Sequence, residues 1–138
     1  MRVMIDTNIF ISAILFPDSR PSKLVEEVLD KYDLVLCSQI LEEIHEVFKR
    51  KFSEKDIDLE KFLTKLSYEL IYTPQKINKN EYPDIRDNKD LPILVSAILG
   101  DVDYFITGDK DFFEVEITKP KILNIKQFLS KFWFSKFK

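Results

Sequence analysis

Near its start the chain reads Val3-Met4-Ile5-Asp6-Thr7-Asn8. Three apolar residues in a row indicate a short buried strand, and the acid behind them ends it. Residues 9–16 then suit a short helix. Asp6 could merely cap that helix, since aspartate is a favoured N-cap residue. A charge directly behind a buried strand is also where α/β proteins place functional side chains, and we interpret Asp6 as functional.

The same pattern continues along the chain. Four further apolar runs, at residues 33–37, 70–72, 104–107 and 121–124, are predicted strands. Helical periods of apolar residues lie between and after them, at 22–29, 38–48, 54–66, 90–99 and 125–133. The polar segment 75–86 is predicted to be a loop. Alternating strands and helices predict an α/β fold with a mainly parallel central sheet of about five strands.

Local signals mark where several helices begin and end. Ser22 and Ser38 are expected N-caps. Pro92 is tolerated only in the first turn of a helix, so the helix that contains it must begin near Asp90. This places the Asp90 carboxylate at a helix N-terminus. Gly100 is the expected C′ residue behind the same helix.

Composition limits the chemistry that the chain can perform. Its 138 residues suit a single domain over residues 1–138. Cys37 and His45 are the only residues of their kinds. A disulfide framework and zinc sites made of thiolates or several histidines are therefore excluded, and serine or cysteine triads are disfavoured. Any bound metal should have oxygen ligands, which suit Mg²⁺, Mn²⁺ or Ca²⁺.

The charge balance does not by itself point to nucleic acid. With 24 acidic and 21 basic residues the formal net charge is −3, whereas nucleic-acid binders usually show a basic footprint. The balance is less unusual if several acids surround a cation. The start of the chain lacks a signal-peptide pattern, and no apolar stretch reaches the roughly 18 residues of a membrane span. We expect a cytoplasmic protein with no membrane contact.

Three further acids are predicted to meet Asp6. Asp109 follows the fourth predicted strand, and Asp90 begins the helix that leads into that strand. Glu43 lies in the first two turns of the helix behind the second strand. The carboxyl ends of parallel strands open onto one edge of a sheet. Carboxylates at close range repel one another unless a cation neutralises them, and a divalent ion that activates water suits phosphodiester hydrolysis.

Each of these acids also has a purely structural interpretation. Asp90 could be an N-cap and Asp109 a turn residue, and the residues alone leave both alternatives even. Glu43 could simply be solvated, because glutamate is a good helix former. Asp87 and Asp111 could assist the other acids, although loop and cap roles are favoured for both.

Four segments resemble the motifs of one known family. They are Met4-Ile5-Asp6-Thr7-Asn8-Ile9-Phe10, Ser38-Gln39-Ile40-Leu41-Glu42-Glu43-Ile44, Asp87-Asn88-Lys89-Asp90 and Tyr104-Phe105-Ile106-Thr107-Gly108-Asp109-Lys110-Asp111-Phe112. In this order and spacing they resemble PIN-domain proteins, over about residues 1–126. Any one motif is a weak signal, but four in order are a strong one. Glu42 competes with Glu43 in the second motif, where the acid directly before Ile44 matches.

The resemblance implies a fold, an activity and a site. The fold would be a three-layer α/β/α domain. The activity would be that of a Mg²⁺- or Mn²⁺-dependent endoribonuclease, as in the VapC-type toxins of toxin–antitoxin pairs. The catalytic, metal-holding acids would be Asp6, Glu43, Asp90 and Asp109. The polar residues that orient them would be Thr7, Asn8 and Thr107, with Asp111 and Asp87 close by.

The expected partners are an RNA substrate and a small antitoxin protein. The tail over about 127–138, with Phe128, Phe132, Trp133, Phe134 and Phe137, is expected to pack at a homodimer or antitoxin interface, with stacking on bases as an alternative. Lys49-Arg50-Lys51 could bind phosphate, but the dipole of a helix C-terminus is the favoured explanation. The main alternative function is a PIN-like module that has lost cleavage and serves as a scaffold. A nuclease acting on structured DNA is a third.

Overall fold

A computed structural model describes the backbone of residues 1–136 and the side chains of residues 1–131. The strands are β1 (Arg2–Ile5), β2 (Asp33–Cys37), β3 (Glu69–Ile71), β4 (Tyr104–Ile106) and β5 (Lys121–Leu123). The helices are α1 (Thr7–Leu15), α2 (Arg20–Lys31), α3 (Ser38–Lys51), α4 (Asp56–Lys65), α5 (Leu91–Leu99), α6 (Lys110–Phe113) and α7 (Ile125–Lys136). Single 3₁₀ turns lie at Ser53–Lys55, Lys79–Glu81 and Asn88–Asp90.

The five strands form one parallel sheet in the order β3-β2-β1-β4-β5. In its centre, Val3 of β1 lies opposite Leu34 of β2 and Tyr104 of β4. The strand order reverses between β1 and β4, and α/β sheets bind ligands beyond the carboxyl ends of their strands at such a point. The predicted α/β fold, with a parallel sheet of five strands and flanking helices, is confirmed.

The central strands are apolar on both faces. All three apolar residues of β1, together with Phe105 and Ile106 of β4, are fully buried. A parallel sheet that is covered on both faces requires such unbroken apolar strands. The helices cover the sheet with one apolar stripe each, which in α3 consists of Ile40, Ile44 and Phe48 at a spacing of four residues.

Two expected N-caps were wrong. The N-cap of α2 is Ser19, whose hydroxyl oxygen accepts a hydrogen bond from the backbone N–H of Ser22. Because Pro21 fits the first turn of a helix, α2 begins earlier than its apolar period. Cys37 occupies the N-cap position of α3. Ser38 instead accepts a hydrogen bond from the backbone N–H of Thr73, which ties α3 to the end of β3.

The end of α5 also differs from its prediction. Gly100 is the C-cap with φ −78°, and Asp101 takes the left-handed conformation with φ 52°. Glycine suits the close packing at this position, since a Cβ there would lie 3.1 Å from both Ile71 Cγ1 and the carbonyl oxygen of Ser96. Gly100 was expected at the C′ position and is the C-cap, so that expectation was wrong by one residue.

Two further differences concern the last third of the chain. The short helix α6 was not predicted, because four residues carry no recognisable period. Phe128, assigned to an exposed tail, is 2% exposed and packs on the rings of Tyr32 and Tyr104. The side chains of Phe132, Trp133, Phe134 and Phe137 lie outside the described residues. Within the described residues, no helix combines the length and the hydropathy of a membrane span.

Candidate active site

The four predicted acids meet at the carboxyl edge of the sheet. Asp6, Glu43, Asp90 and Asp109 line one pocket of about 210 Å³. They come from four separate segments: the end of β1, the middle of α3, the start of α5 and the turn behind β4. This pocket, called the acidic pocket below, also has Thr7, Asn8, Glu46, Val47 and Arg50 in its wall.

Asp6 is the most buried of these acids, with 8% of its surface exposed. Its Oδ1 accepts a hydrogen bond of 2.8 Å from the backbone N–H of Thr7, which makes it the N-cap of α1. Its Oδ2 accepts a hydrogen bond of 2.6 Å from the hydroxyl of Thr107. Burial nevertheless raises the pKa of Asp6 above its ordinary value, because these hydrogen bonds only partly offset the loss of water. The carboxylate of Asp6 therefore both caps α1 and lines the acidic pocket.

Glu43 is held by two side chains. Its Oε1 accepts a hydrogen bond of 2.7 Å from the hydroxyl of Thr7, and its Oε2 accepts one of 3.2 Å from Nε2 of Gln39. Gln39 lies one turn earlier in α3, and its own backbone N–H donates to Oγ1 of Thr73. Sequence reasoning missed Gln39, although residues four apart in a helix are neighbours. Glu43 is thus fixed towards the pocket and not extended into solvent.

Asp90 carries the least satisfied oxygen of the acidic pocket. Its Oδ2 is buried and has no hydrogen-bond partner among the described residues. Burial, together with the charges of Asp109 and Asp87, raises the pKa of Asp90 from 3.8 to about 7. Although Asp90 occupies the N-cap position of α5, its side chain makes no capping hydrogen bond. Asp90 therefore stands at the N-cap position, but capping does not explain why a carboxylate is present there.

Asp109 is positioned by the turn that leads into α6. Its backbone N–H donates to Oγ1 of Thr107, and its Oδ1 accepts a hydrogen bond of 2.9 Å from the backbone N–H of Asp111. Thr107 is fully buried and donates its hydroxyl proton to Asp6. One threonine side chain therefore connects the acids behind β1 and β4.

Asp87 and Asp111 lie beside the acidic pocket. Asp87 caps the 3₁₀ turn before α5, where its Oδ1 accepts from the backbone N–H of Lys89. Asp87, Asp90 and Asp111 each offer an oxygen within 4.8 Å of the others. Asn8 lines the acidic pocket, but its side chain is exposed and makes no hydrogen bond to the described residues, so an orienting role for it stays a prediction.

Arg50 is the only cation among the described side chains that line the acidic pocket. It lies seven residues after Glu43 on the same face of α3, and helical side chains lean towards the N-terminus, here towards the acids. Its contact to Glu46 is loose, with 4.0 Å between Nη1 and Oε1, and both side chains are largely exposed. Lys49 and Lys51 do not line the pocket. A helix dipole explains all three cations equally, but only Arg50 faces the acids.

The donor chemistry of the acidic pocket fits a hard divalent cation. All of its anionic groups are carboxylates, and Mg²⁺ and Mn²⁺ prefer carboxylate oxygens as ligands. The pKa values of Asp6 and Asp90 are raised chiefly by burial and further by the charges of neighbouring acids, and Oδ2 of Asp90 has no partner among the described residues. A bound cation would give Oδ2 of Asp90 a partner and would offset the cost of burying these charges.

The partly buried carboxyl group of Asp90 predicts an unusual pH dependence of stability. The raised pKa of Asp90 means that its contribution to stability is present below about pH 4 and is lost as the pH rises towards 7. In chelator, wild-type protein should therefore lose stability between pH 5 and pH 8. Asp90→Asn should lose less, by on the order of 1 kcal/mol after allowance for solvent screening. Thermal unfolding followed by circular dichroism at both pH values measures this difference, and equal losses in the two proteins would contradict it.

The fold and the pocket together define a small α/β/α domain whose acids converge at the point where the strand order reverses. A family model described as a PIN domain matches residues 2–111. The chain therefore belongs to the PIN-domain family.

Two known proteins are similar to this chain. An uncharacterised protein of Methanocaldococcus jannaschii, MJ1680, is 30% identical over 148 aligned positions, which cover 96% of this chain and 92% of the relative. The crystal structure of VapBC2 from Rickettsia felis, bound to a DNA fragment from their promoter, contains a chain of the same fold. Its TM-score is 0.66 at 22% identity, with 90% of this chain and 98% of that chain covered.

Proposed function

We propose that this protein is a metal-dependent endoribonuclease that hydrolyses phosphodiester bonds of RNA. PIN domains are generally nucleases, which makes this activity the natural expectation for the family. The observation that carries the proposal is the acidic pocket itself, which acids from four chain segments line and in which a buried oxygen of Asp90 has no partner among the described residues. Such an arrangement destabilises the metal-free protein, and a structural role gives no reason to keep it.

In this proposal Asp6, Glu43, Asp90 and Asp109 hold Mg²⁺ or Mn²⁺. The bound ion supplies an activated water and neutralises charge on the attacked phosphate. The protein contributes the orientation of the ligands: Thr107 holds Asp6 and the turn before Asp109, while Thr7 and Gln39 hold Glu43. Such outer hydrogen bonds typically change metal affinity about 10–100-fold.

Arg50 would bind a phosphate of the RNA at the rim of the acidic pocket. Five acids in this pocket repel a polyanion, and the guanidinium offers several donors that match phosphate oxygens. Its weak contact to Glu46 is exposed and costs little to break. A local cation of this kind resolves the conflict between nucleic-acid binding and a net charge of −3.

The proposed biological role is that of a toxin that pairs with a small antitoxin. The similar solved structure is of VapBC2, and VapC-type toxins are the family members that form such pairs. A recess of about 530 Å³ between α1, α2 and α4 suits an apolar segment of an antitoxin. Its lining includes the apolar residues Leu15, Leu29, Phe62 and Leu66, and its charged residues are Lys55, Lys61, Lys65, Glu26 and Asp58. Copurification with the product of a small adjacent reading frame would test the pairing. A homodimer and a cytoplasmic location stay predictions.

Cleavage of a single-stranded RNA oligonucleotide tests the proposed activity. The purified protein should cleave it in Mn²⁺, lose activity in EDTA and recover when excess metal is added. The same protein should bind Mn²⁺ in a calorimetric titration at neutral pH. Metal binding without cleavage of RNA but with cleavage of DNA would favour the structured-DNA alternative. Absence of both binding and cleavage would favour the scaffold that has lost cleavage.

A further inference from the structure

The helix that carries Glu43 is capped by a residue from another segment of the chain. Cys37 occupies the N-cap position of α3, but its side chain makes no capping hydrogen bond. The backbone N–H of Gln39, in the first turn of α3, instead donates to Oγ1 of Thr73 at 3.2 Å. The backbone N–H of Thr73 donates in return to the hydroxyl oxygen of Ser38 at 2.9 Å. The first N–H groups of a helix have no partner within it, so Thr73 supplies what the N-cap residue does not.

Thr73 is also joined to α5, the helix that begins behind Asp90. Its Oγ1 lies 2.9 Å from Oγ of Ser96, which is in the middle of α5. Oγ of Ser96 lies 2.8 Å from the carbonyl oxygen of Pro92, one turn earlier in the same helix. Hydrogen bonds therefore lead from the first turn of α3 through Thr73 and Ser96 to the first turn of α5.

The need to satisfy buried polar groups explains only part of this arrangement. Ser96 is fully buried, and a buried hydroxyl requires a hydrogen-bond partner. The carbonyl oxygen of Pro92 already meets that requirement. Thr73 is only partly buried, so water could serve its hydroxyl. The contact between Thr73 and Ser96 is therefore not required for satisfaction, and its physical effect is to hold α3 and α5 at a fixed separation.

Both of these helices carry acids of the acidic pocket. Gln39 is held at both ends, because its backbone bonds to Thr73 and its Nε2 donates to Oε2 of Glu43 at 3.2 Å. Asp90 occupies the N-cap position of α5, two residues before Pro92. A shift of either helix would change the separation of the two carboxylates. Mg²⁺ demands nearly ideal octahedral geometry, so such a shift would weaken its binding.

We propose that Thr73 and Ser96 are positioning residues that hold α3 against α5 and thereby set the separation of Glu43 and Asp90 for a divalent ion. Neither Thr73 nor Ser96 lines the acidic pocket, so both act through the helices that they join. The inference rests on the proposed metal site and adds two residues to those that determine its affinity. Hydrogen bonds behind the ligands of a metal typically change its affinity about 10–100-fold.

Calorimetric titration of the full chain with Mn²⁺ tests the proposal. Thr73→Val replaces the hydroxyl with a methyl group of similar size, and the Mn²⁺ affinity should fall about 10-fold. Thr73→Ser keeps the hydroxyl and should bind Mn²⁺ nearly as wild type does. Ser96→Ala breaks the link to α5 but leaves Gln39 bonded to Thr73, so its affinity should fall less than that of Thr73→Val.

Val28→Ala is the control for a general loss of stability. Val28 is fully buried in α2 and does not line the acidic pocket, so this variant should be less stable but should keep the wild-type Mn²⁺ affinity. Thermal unfolding of each variant identifies a temperature at which all of them are folded, and the titrations are made there. If Thr73→Val does not fold, Ser96→Ala alone decides the question.

The possible outcomes separate the inference from the proposed function. Wild-type affinity in both Thr73→Val and Ser96→Ala overturns the inference and leaves the metal site intact. An equal loss in Thr73→Ser also overturns it, because the hydroxyl is then not the cause. An equal loss in Val28→Ala overturns it as well, since lower stability alone then accounts for the effect. A wild-type protein that does not bind Mn²⁺ overturns the metal site and the inference together.

Discussion

Asp6→Asn should lower RNA cleavage by on the order of 10³-fold while the protein stays folded. Loss of a carboxylate that holds a catalytic metal removes several kcal/mol of charge stabilisation, which corresponds to this factor. Asparagine has the same shape, and its oxygen can still accept the hydrogen bond from the backbone N–H of Thr7. The change also removes a buried charge whose pKa is raised, so the metal-free fold should not weaken.

Three measurements check this expectation. Cleavage of labelled RNA in Mn²⁺ gives the loss of activity, calorimetry gives the loss of Mn²⁺ affinity, and thermal unfolding in chelator shows that the fold persists. Asp33→Asn is the matched control, because Asp33 is exposed at the start of β2. It lies at the amino end of the strands, away from the acidic pocket at their carboxyl ends. It should behave as wild type. An Asp6→Asn protein as active as wild type would end the case for the acidic pocket as the catalytic centre.

Phe112→Ala should cost about 3–5 kcal/mol of unfolding free energy, the usual cost of removing a buried aromatic ring. Phe112 is fully buried, and its ring lies 4.8 Å from that of Phe105 in the centre of the sheet. A helix of four residues has almost no stability of its own, so this ring anchors α6. Because Asp109 caps α6, loss of the anchor should also weaken Mn²⁺ binding.

Chemical denaturation measures the loss of stability, and Mn²⁺ titration at a temperature where the variant is still folded measures the loss of affinity. The chain provides its own control in the next residue. Phe113 is 41% exposed, so Phe113→Ala should change stability much less. If both alanine variants unfold at the same denaturant concentration, α6 is not anchored by Phe112.

Several elements of the fold were predictable from local patterns. Unbroken apolar runs such as 3–5 and 33–37 marked strands that are buried on both faces. The stripe of Ile40, Ile44 and Phe48 marked α3 in the same way. The functional acids were harder to predict from the sequence. The position of Asp6 directly behind a strand indicated a functional role. The roles of Glu43, Asp90 and Asp109 were ambiguous until their segments were matched to the motifs of PIN domains.

What the amino-acid order determined by itself was therefore the α/β class, the number of strands and a set of candidate acids whose roles stayed open, because hydrophobic periods are local properties. The strand order, the hydrogen bonds of Thr7, Gln39 and Thr107, and the unpartnered oxygen of Asp90 arose only from the packed structure. These features join residues as far as 101 positions apart in the chain. Burial and the proximity of charges depend on how the helices pack on the sheet, and no local window of sequence contains that information.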